Sequence, residues 1–219
     1  NSSLINTKFL TTIVNEITKL KNSGKEILLV SSGALALGKK SLKIKKNNLK
    51  VSEKQAASSV GQVLLINAWK KAFLKYKKQC GQILLTHLDA EIRSSAINAR
   101  NTIESLIKLD SIPIINENDS VATQELRYGD NDQLAARVAQ ITSSDLLILL
   151  SDVDGLYTSN PKKNNNAKLI KYIKKITKTI EKSSENTSSS IAVGGMHTKI
   201  KAAKIALSSG CNMLITRGN

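Results

Sequence analysis

The chain has little of several things that whole classes of protein are built from. Its 219 residues include two cysteines, Cys80 and Cys211, too few for a disulfide scaffold and without metal-ligand partners nearby in sequence. Free thiols fit a cytoplasmic protein. No apolar run approaches the roughly 20 residues that a membrane-spanning helix needs. The opening residues, Asn1-Ser2-Ser3-Leu4-Ile5, lack the basic start and long apolar centre of a secretory signal. Aromatic residues make up 3% of the chain, which leaves little for stacking single-stranded nucleic acid. Arginine is scarce too: five of the 33 basic residues, Arg93, Arg100, Arg127, Arg137 and Arg217. The net charge of +16 invites a nucleic-acid reading through phosphate neutralisation. The planar guanidinium fork that such recognition favours is nevertheless mostly missing. The lysines travel with many Asn and Ile as a broad compositional bias. Lys39, Lys40, Lys43, Lys45, Lys46 and Lys50 therefore read as a solvated loop or helix face, as do those from Lys162 to Lys182. Neither a nucleic-acid nor a membrane partner is expected.

What is present is an alternation of apolar strands and amphipathic helices. Phe9, Leu10, Ile13, Val14, Ile17 and Leu20 recur at helical spacing, predicting a helix from Thr7 to Lys21 that ends at Asn22-Ser23-Gly24. Glu26 to Val30 reads as a strand running into Ser31-Ser32-Gly33-Ala34, a small-residue turn whose amides could approach a ligand closely, or simply a turn. Val51 to Tyr76 is a long helical stretch, open to a break at Gly61, with Ala56, Val60, Val63, Leu64, Ala68, Ala72 and Leu74 inward and Trp69 and Phe73 in the core. Gln82 to Thr86 is the next strand. Leu88 to Leu109 follows as one or two helices with Ile92, Ile97, Ile103, Leu106 and Ile107 inward. His87 reads as a surface or capping group.

The most informative stretch runs from Ile112 to Asp132. Ile112, Ile114 and Ile115 look like a buried strand of a parallel sheet, and such strands deliver functional groups at their carboxyl ends. There the chain reads Asn116-Glu117-Asn118-Asp119 and then Gly129-Asp130-Asn131-Asp132. Two clusters of short acids and amides could hold a cation, a substrate ammonium or a catalytic lysine. They could equally be an acidic turn and a helix N-cap, because Leu134, Ala135, Val138 and Ile141 repeat helically just after them. Ser120 to Tyr128 reads as a small hairpin or flap. Asp145 to Leu150 is the most apolar strand and ends in Ser151-Asp152-Val153-Asp154-Gly155. A polar loop (160–166), a basic helix from Lys171 to Lys182 and a low-complexity loop from Ser183 to Ser190 follow. Gly194-Gly195 then precede a helix with Ile200, Ala203, Ile205 and Leu207 inward and Lys199 in its first turns, which is what a nucleotide's phosphates need. Asn212 to Thr216 is the last strand. The pattern predicts one α/β domain over residues 1–219 with a mainly parallel sheet, whose polar turns gather at one edge.

With these turns in view the chain resembles the amino acid kinase family, most closely its members that act on free glutamate. Five segments recur in family order: Val30-Ser31-Ser32-Gly33-Ala34; Gln55-Ala56-Ala57 with Val60-Gly61-Gln62; Ile115 to Asp119 with Gly129 to Asp132; Ser151-Asp152 with Gly155-Leu156-Tyr157-Thr158; and Gly194-Gly195-Met196 with Thr198-Lys199. The resemblance implies a three-layer αβα sandwich and transfer of the γ-phosphoryl group of ATP to the side-chain carboxylate of L-glutamate, the first step toward proline. On that pattern Ser32, Asp119 and Asn131 match glutamate-binding positions. Ser151, Asp152, Val193, Gly194, Gly195, Met196, His197, Thr198 and Lys199 match ATP-binding ones. Lys199 also matches a catalytic lysine and Asp132 the acid that orders it. No residue is assigned to a resident metal, and Mg²⁺ would arrive with the nucleotide. Partners implied are L-glutamate, ATP and further copies of the chain, as a dimer or tetramer.

The chain departs from the pattern in three places. On that pattern the first strand and its lysine are expected to be absent from this sequence, with Ser2-Ser3-Leu4 read as the remnant. Ala192-Val193 replaces the family's usual Gly-Thr. The RNA-modifying-enzyme-like domain that many members append at the carboxyl end is not expected within these 219 residues. The same-class alternatives are kinases of acetylglutamate, aspartate or a nucleoside monophosphate; a different class would be a non-catalytic basic module binding RNA or protein.

Overall fold

The structure, a computed structural model, describes residues 5–122, 131–159, 161, 164–185 and 195–218, with the backbone alone for 182–185. These residues fall into two compact units, Asn1–Tyr128 and Gly129–Asn219.

In the first unit, helix α1 (Thr7–Asn22) is capped by the Asn6 side chain, which accepts from the amide of Phe9 at 3.0 Å. Lys19 and Lys21 in its last turn complement the helix dipole. Its buried face is Leu10, Val14 and Ile17, as the apolar spacing predicts. Strand β1 (Leu29–Val30) is shorter than the expected Glu26 to Val30 and leads into helix α2 (Ala34–Ser41). Helix α3 (Val51–Leu74) is followed by β2 (Gln79–Leu85), α4 (His87–Glu91), α5 (Arg93–Lys108) and β3 (Ser111–Glu117). The three strands form a parallel sheet in the order β1-β3-β2. As the central strand, β3 is buried from Ile112 to Glu117, where the sequence places a buried parallel strand. Pro113 sits in it without cost because β1 pairs only with Ile114 and Ile115, so no ladder bond is lost on that side.

Helix α3 differs from expectation. It runs unbroken through Gly61, and its buried residues are Ala57, Ser58, Gly61, Leu65, Trp69, Ala72 and Phe73. Ala56, Val60, Val63 and Leu74, expected inside, are exposed. Close helix packing is the cause. A Cβ at Gly61 would lie 1.8 Å from the Ala34 carbonyl oxygen, and one at Gly38 would lie 1.7 Å from that of Ala57. Helices α2 and α3 therefore cross with no side chain between their backbones, and that contact turns the face of α3. Trp69 and Phe73 do enter the core, with ring centroids 6.1 Å apart, among Leu10, Val14, Ile17, Ile112 and Ile114. Fully burying a side chain of that size stabilises by roughly 1.5–3 kcal/mol. On α4 and α5, Ile103 is buried as expected, but Ile92 and Ile97 are about half exposed.

The second unit holds helix α6 (Asn131–Ile141), strand β4 (Leu146–Ser151), the antiparallel pair β5 (Leu156–Tyr157) and β6 (Leu169–Ile170), helices α7 (Lys178–Glu185) and α8 (Met196–Ser208), and strand β7 (Asn212–Arg217). β4 and β7 pair in parallel over six residues, Leu146↔Asn212 to Ser151↔Arg217. α6 and α8 pack together through Leu134, Ala135, Val138, Ala202, Ala203 and Ala206, all buried. β4 is not buried on both faces: Leu146, Ile148 and Leu150 are close to half exposed, while Leu149 is buried. The basic segment from Lys171 is not helical until Lys178; it first supplies the loop after β6. Residues 183–185, expected in a loop, continue α7, whereas 186–190 lie outside the described residues. So do 123–130, where the flap was expected.

At the amino end of β3, Asp110 joins Lys78 at 2.8 Å and Lys21 at 2.9 Å. The hydrogen bonds from Lys78 and then Lys21 hold its carboxyl at about 2. Because the folded value is depressed, this contribution is present above the ordinary carboxylate range and is lost as pH falls from about 4 toward 2. Asp110→Asn, which tolerates the positive φ of 56°, should lower the unfolding midpoint at pH 7 by no more than a few degrees. It should also flatten the dependence of stability on pH between 4 and 2, read by thermal melts across that range. Gly61→Ala should destabilise by about 3 kcal/mol or more through overpacking of the helix crossing, read by denaturant unfolding. A fully stable variant would mean that α2 and α3 can separate freely.

Candidate active site

In the first unit, the carboxyl ends of two neighbouring parallel strands carry the polar turns. The Ser31 amide donates to the Ile115 carbonyl at 2.9 Å, so the turn after β1 lies alongside the end of β3. Ser32 is exposed and Ser31 buried. Gly33, with φ of 108°, takes a left-handed conformation that side-chain-bearing residues resist, and it opens α2 with no side-chain cap on the helix. A helix start without a side-chain cap suits a carboxylate. Asn116 is 3% exposed and Glu117 is buried beside it, whereas Asn118 and Asp119 are half-buried in the loop beyond β3. The Asn118 amide donates to the Leu85 carbonyl at 2.9 Å, tying the loop to the end of β2. A hollow of about 430 Å³, lined in part by Thr86, Asp89, Asn118 and Ala122, opens beside it. Asp89 there is committed to capping α4, accepting from the Thr86 amide and hydroxyl at 2.7 and 2.6 Å.

In the second unit, Asn131 and Asp132 form the first turn of α6, as the helical repeat after them requires. Lys199, in the first turns of α8, donates through Nζ to Oδ2 of Asp132 at 2.9 Å. The two side chains are 9% and 17% exposed. Such a pair is one ionic unit: a partly desolvated ammonium held in place by the acid opposite. Gly195 begins α8 without a side-chain cap. The Thr198 hydroxyl turns back onto the Gly195 carbonyl at 2.7 Å. Nδ1 of His197 is shut off from solvent with no hydrogen-bond partner among the described residues. A helix start without a side-chain cap, an orphaned ring nitrogen and a buried lysine are together a fit for an anionic ligand bearing acceptor atoms. Ser151 ends β4, its hydroxyl 3.2 Å from Asp152 Oδ1, and Asp152 is exposed.

The structure thus brings Lys199 and Asp132 together, and it sets Ser32 and Asp119 at adjacent strand ends. Met196, His197 and Thr198 share the first turn of α8 with Lys199. Val193, Gly194 and Asp130 lie outside the described residues. Among the described residues, no group of three or more His, Cys, Asp or Glu side chains is arranged to hold a metal ion. No described helix is long and apolar enough to cross a membrane. Sequence reasoning missed what anchors the first unit's turns. Nε1 of Trp69 donates to the Ser31 hydroxyl at 2.9 Å, and Nδ2 of Asn116 donates to Gln62 Oε1 at 2.7 Å. The available signal was the recurrence of polar residues along one edge of α3.

Comparison with known proteins narrows the reading. The chain is similar to the glutamate 5-kinase of Pelagibacter ubique, 53% identical over 211 residues covering 96% of this chain and 57% of that protein. It is 48% identical to the glutamate 5-kinase of Bradyrhizobium diazoefficiens, covering 98% of this chain and 57% of the relative. The chain therefore spans just over half the length of these curated relatives. Among solved structures it resembles carbamate kinase from Giardia lamblia bound to AMP-PNP, with a TM-score of 0.66 at 15% identity over 97% of this chain and 84% of that one. It also resembles the isopentenyl phosphate kinase of T. acidophilum in a product complex, with a TM-score of 0.61 at 15% identity over 97% and 82%. At such low identity these two show the fold alone, a parallel α/β arrangement. The sequence model of the amino acid kinase family matches residues 2–217, and the chain belongs to that family.

Proposed function

We propose that the chain carries an ATP-dependent glutamate 5-kinase activity, moving the γ-phosphoryl group of ATP to the side-chain carboxylate of L-glutamate. The observation that carries this is the Lys199–Asp132 pair at the starts of α8 and α6. The names of relatives at 48–53% identity support glutamate as the acceptor. A product with an acyl phosphate on the side chain fits a first step toward proline in the cytoplasm, by enzymes acting as dimers or tetramers.

Each residue has a task set by its chemistry. Phosphoryl transfer to a carboxylate brings two anions into line, so the protein's work is mainly positioning and neutralisation of charge. Lys199 supplies a positive charge to the transferring phosphoryl group. Asp132 keeps the ammonium aimed, and because Lys199 leans on it, the charge needs little reorganisation when the phosphate arrives. The first-turn amides of α8, with Gly195, Met196, His197 and Thr198, accept the nucleotide, and Ser151 and Asp152 belong to the same assignment, as do Val193 and Gly194. Mg²⁺ comes with the nucleotide and offsets phosphate charge. Asp119 pairs with the substrate ammonium, which selects a free amino acid over an acylated one; Ser32 and Asn131 donate to its carboxylates.

Coupled measurement of ADP release with glutamate and Mg²⁺ tests the activity, with aspartate and acetylglutamate as control acceptors; no glutamate-dependent ADP release refutes it. Lys199→Ala and Asp132→Ala should each lower kcat by about 10²–10³-fold. Asp119→Ala should act mainly on glutamate, raising its KM by about 10–100-fold, the worth of a charged hydrogen bond. Unchanged kinetics in all three would reject the assignments.

A further inference from the structure

Helix α3 touches the strand-end turns of the first unit at several points, and those contacts lie in a row. Gln55 donates through Nε2 to the Ala122 carbonyl at 3.1 Å, and the Ser59 hydroxyl meets that of Ser120 at 2.9 Å. Gln62 accepts from Asn116, and Trp69 donates to Ser31. At about 100° per residue these four positions fall within roughly 80° of arc along the helix. The stripe borders the buried face of Gly61, Leu65 and Ala72, so packing of the apolar face locks the polar edge in place. The helix is also pinned lengthwise, because the crossing at Gly38 and Gly61 leaves no room to slide.

The contacts reach both turns at once. Trp69 holds Ser31, the residue before Ser32, through a bond buried at both ends. Gln62 holds Asn116, whose Oδ1 in turn accepts from the Glu117 amide at 2.9 Å and so shapes the chain entering Asn118 and Asp119. Gln55 closes the far side of the same loop at Ala122. Resting on the proposed glutamate kinase reading, we infer that Gln62 and Trp69 are positioning residues that set the spacing between Ser32 and Asp119, and thereby the affinity for glutamate and not the transfer step. They do not touch the substrate. Their effect passes through Asn116 and Ser31, where a displacement of about 1 Å is enough to weaken a positioned contact severely.

The test uses the purified protein with Gln62→Leu, Gln62→Glu, Trp69→Phe, Ser31→Ala and the Trp69→Phe/Ser31→Ala double variant. Gln62→Leu and Trp69→Phe should raise the KM for glutamate about tenfold, with the KM for ATP within about twofold and kcat within about threefold of the parent. Gln62→Glu, which keeps an acceptor for Asn116, should restore the glutamate KM to within about threefold. The double variant should raise the glutamate KM by less than the product of the two single effects, since the indole and the hydroxyl share one bond. Amide exchange over residues 116–122 should quicken in Gln62→Leu and not in α6. An active parent whose glutamate KM is unmoved by Gln62→Leu and Trp69→Phe overturns the inference and leaves the proposed function standing. So does a parallel change in both KM values and kcat without rescue by Gln62→Glu. A parent with no glutamate-dependent ADP release rejects the proposed function itself, and unchanged exchange over 116–122 overturns the positioning role whatever the parent's activity.

Discussion

A lysine ammonium drawn away from water has to be answered by a carboxylate, and much of the second unit follows from that demand. Lys199 is answered by Asp132, 67 residues earlier in the chain, so the first turns of α8 and α6 must lie side by side. The small residues that line both helices, Ala135, Ala139, Ala202 and Ala206, let the backbones come close enough for the pair to form. A leucine at any of them would widen the gap between the helices. The ion pair itself is weak evidence of stability, because desolvation offsets much of the attraction. Its worth is in fixing where one positive charge stands.

The first unit solves a comparable problem without charge. Its turns at the ends of β1 and β3, which also carry Glu117 and Asp119, are held by amide and indole hydrogen bonds from one long helix. Bonds of this kind contribute about 1 kcal/mol each, yet an unpaired buried partner costs more than that. On one unit a neutral frame holds the loop bearing the carboxylate proposed to meet the substrate ammonium, and on the other an ionic pair holds the charge proposed to meet the phosphate.

How far the sequence could be read depended on whether each signal was local. Helix α1 was legible because its apolar residues form a narrow stripe with polar residues opposite. The inner face of α3 was not, because apolar residues surround that helix, and its true contact includes Ser58 and Gly61, which hydrophobicity does not count. The short β6 was lost among lysines: its two residues become a strand only by pairing with β5. The expected helix from Lys171 to Lys182 begins only at Lys178, after an irregular stretch. At the site, the position of Asp132 at a helix start followed from the repeat after it, but its bond to Lys199 could be expected only from the family's pattern. The Gln62–Asn116 and Trp69–Ser31 bonds span 54 and 38 residues, and no spacing rule reaches that far.

The cluster of Asp110 with Lys21 and Lys78 stands at the opposite end of β3 from Asn116 and Glu117. Its carboxylate is 65% exposed, so dissolved salt and acid reach it readily. Loosening by either agent would therefore start at the foot of the strand, with six further residues of β3 between it and the polar turn. Durability and recognition are thereby set apart along a single strand.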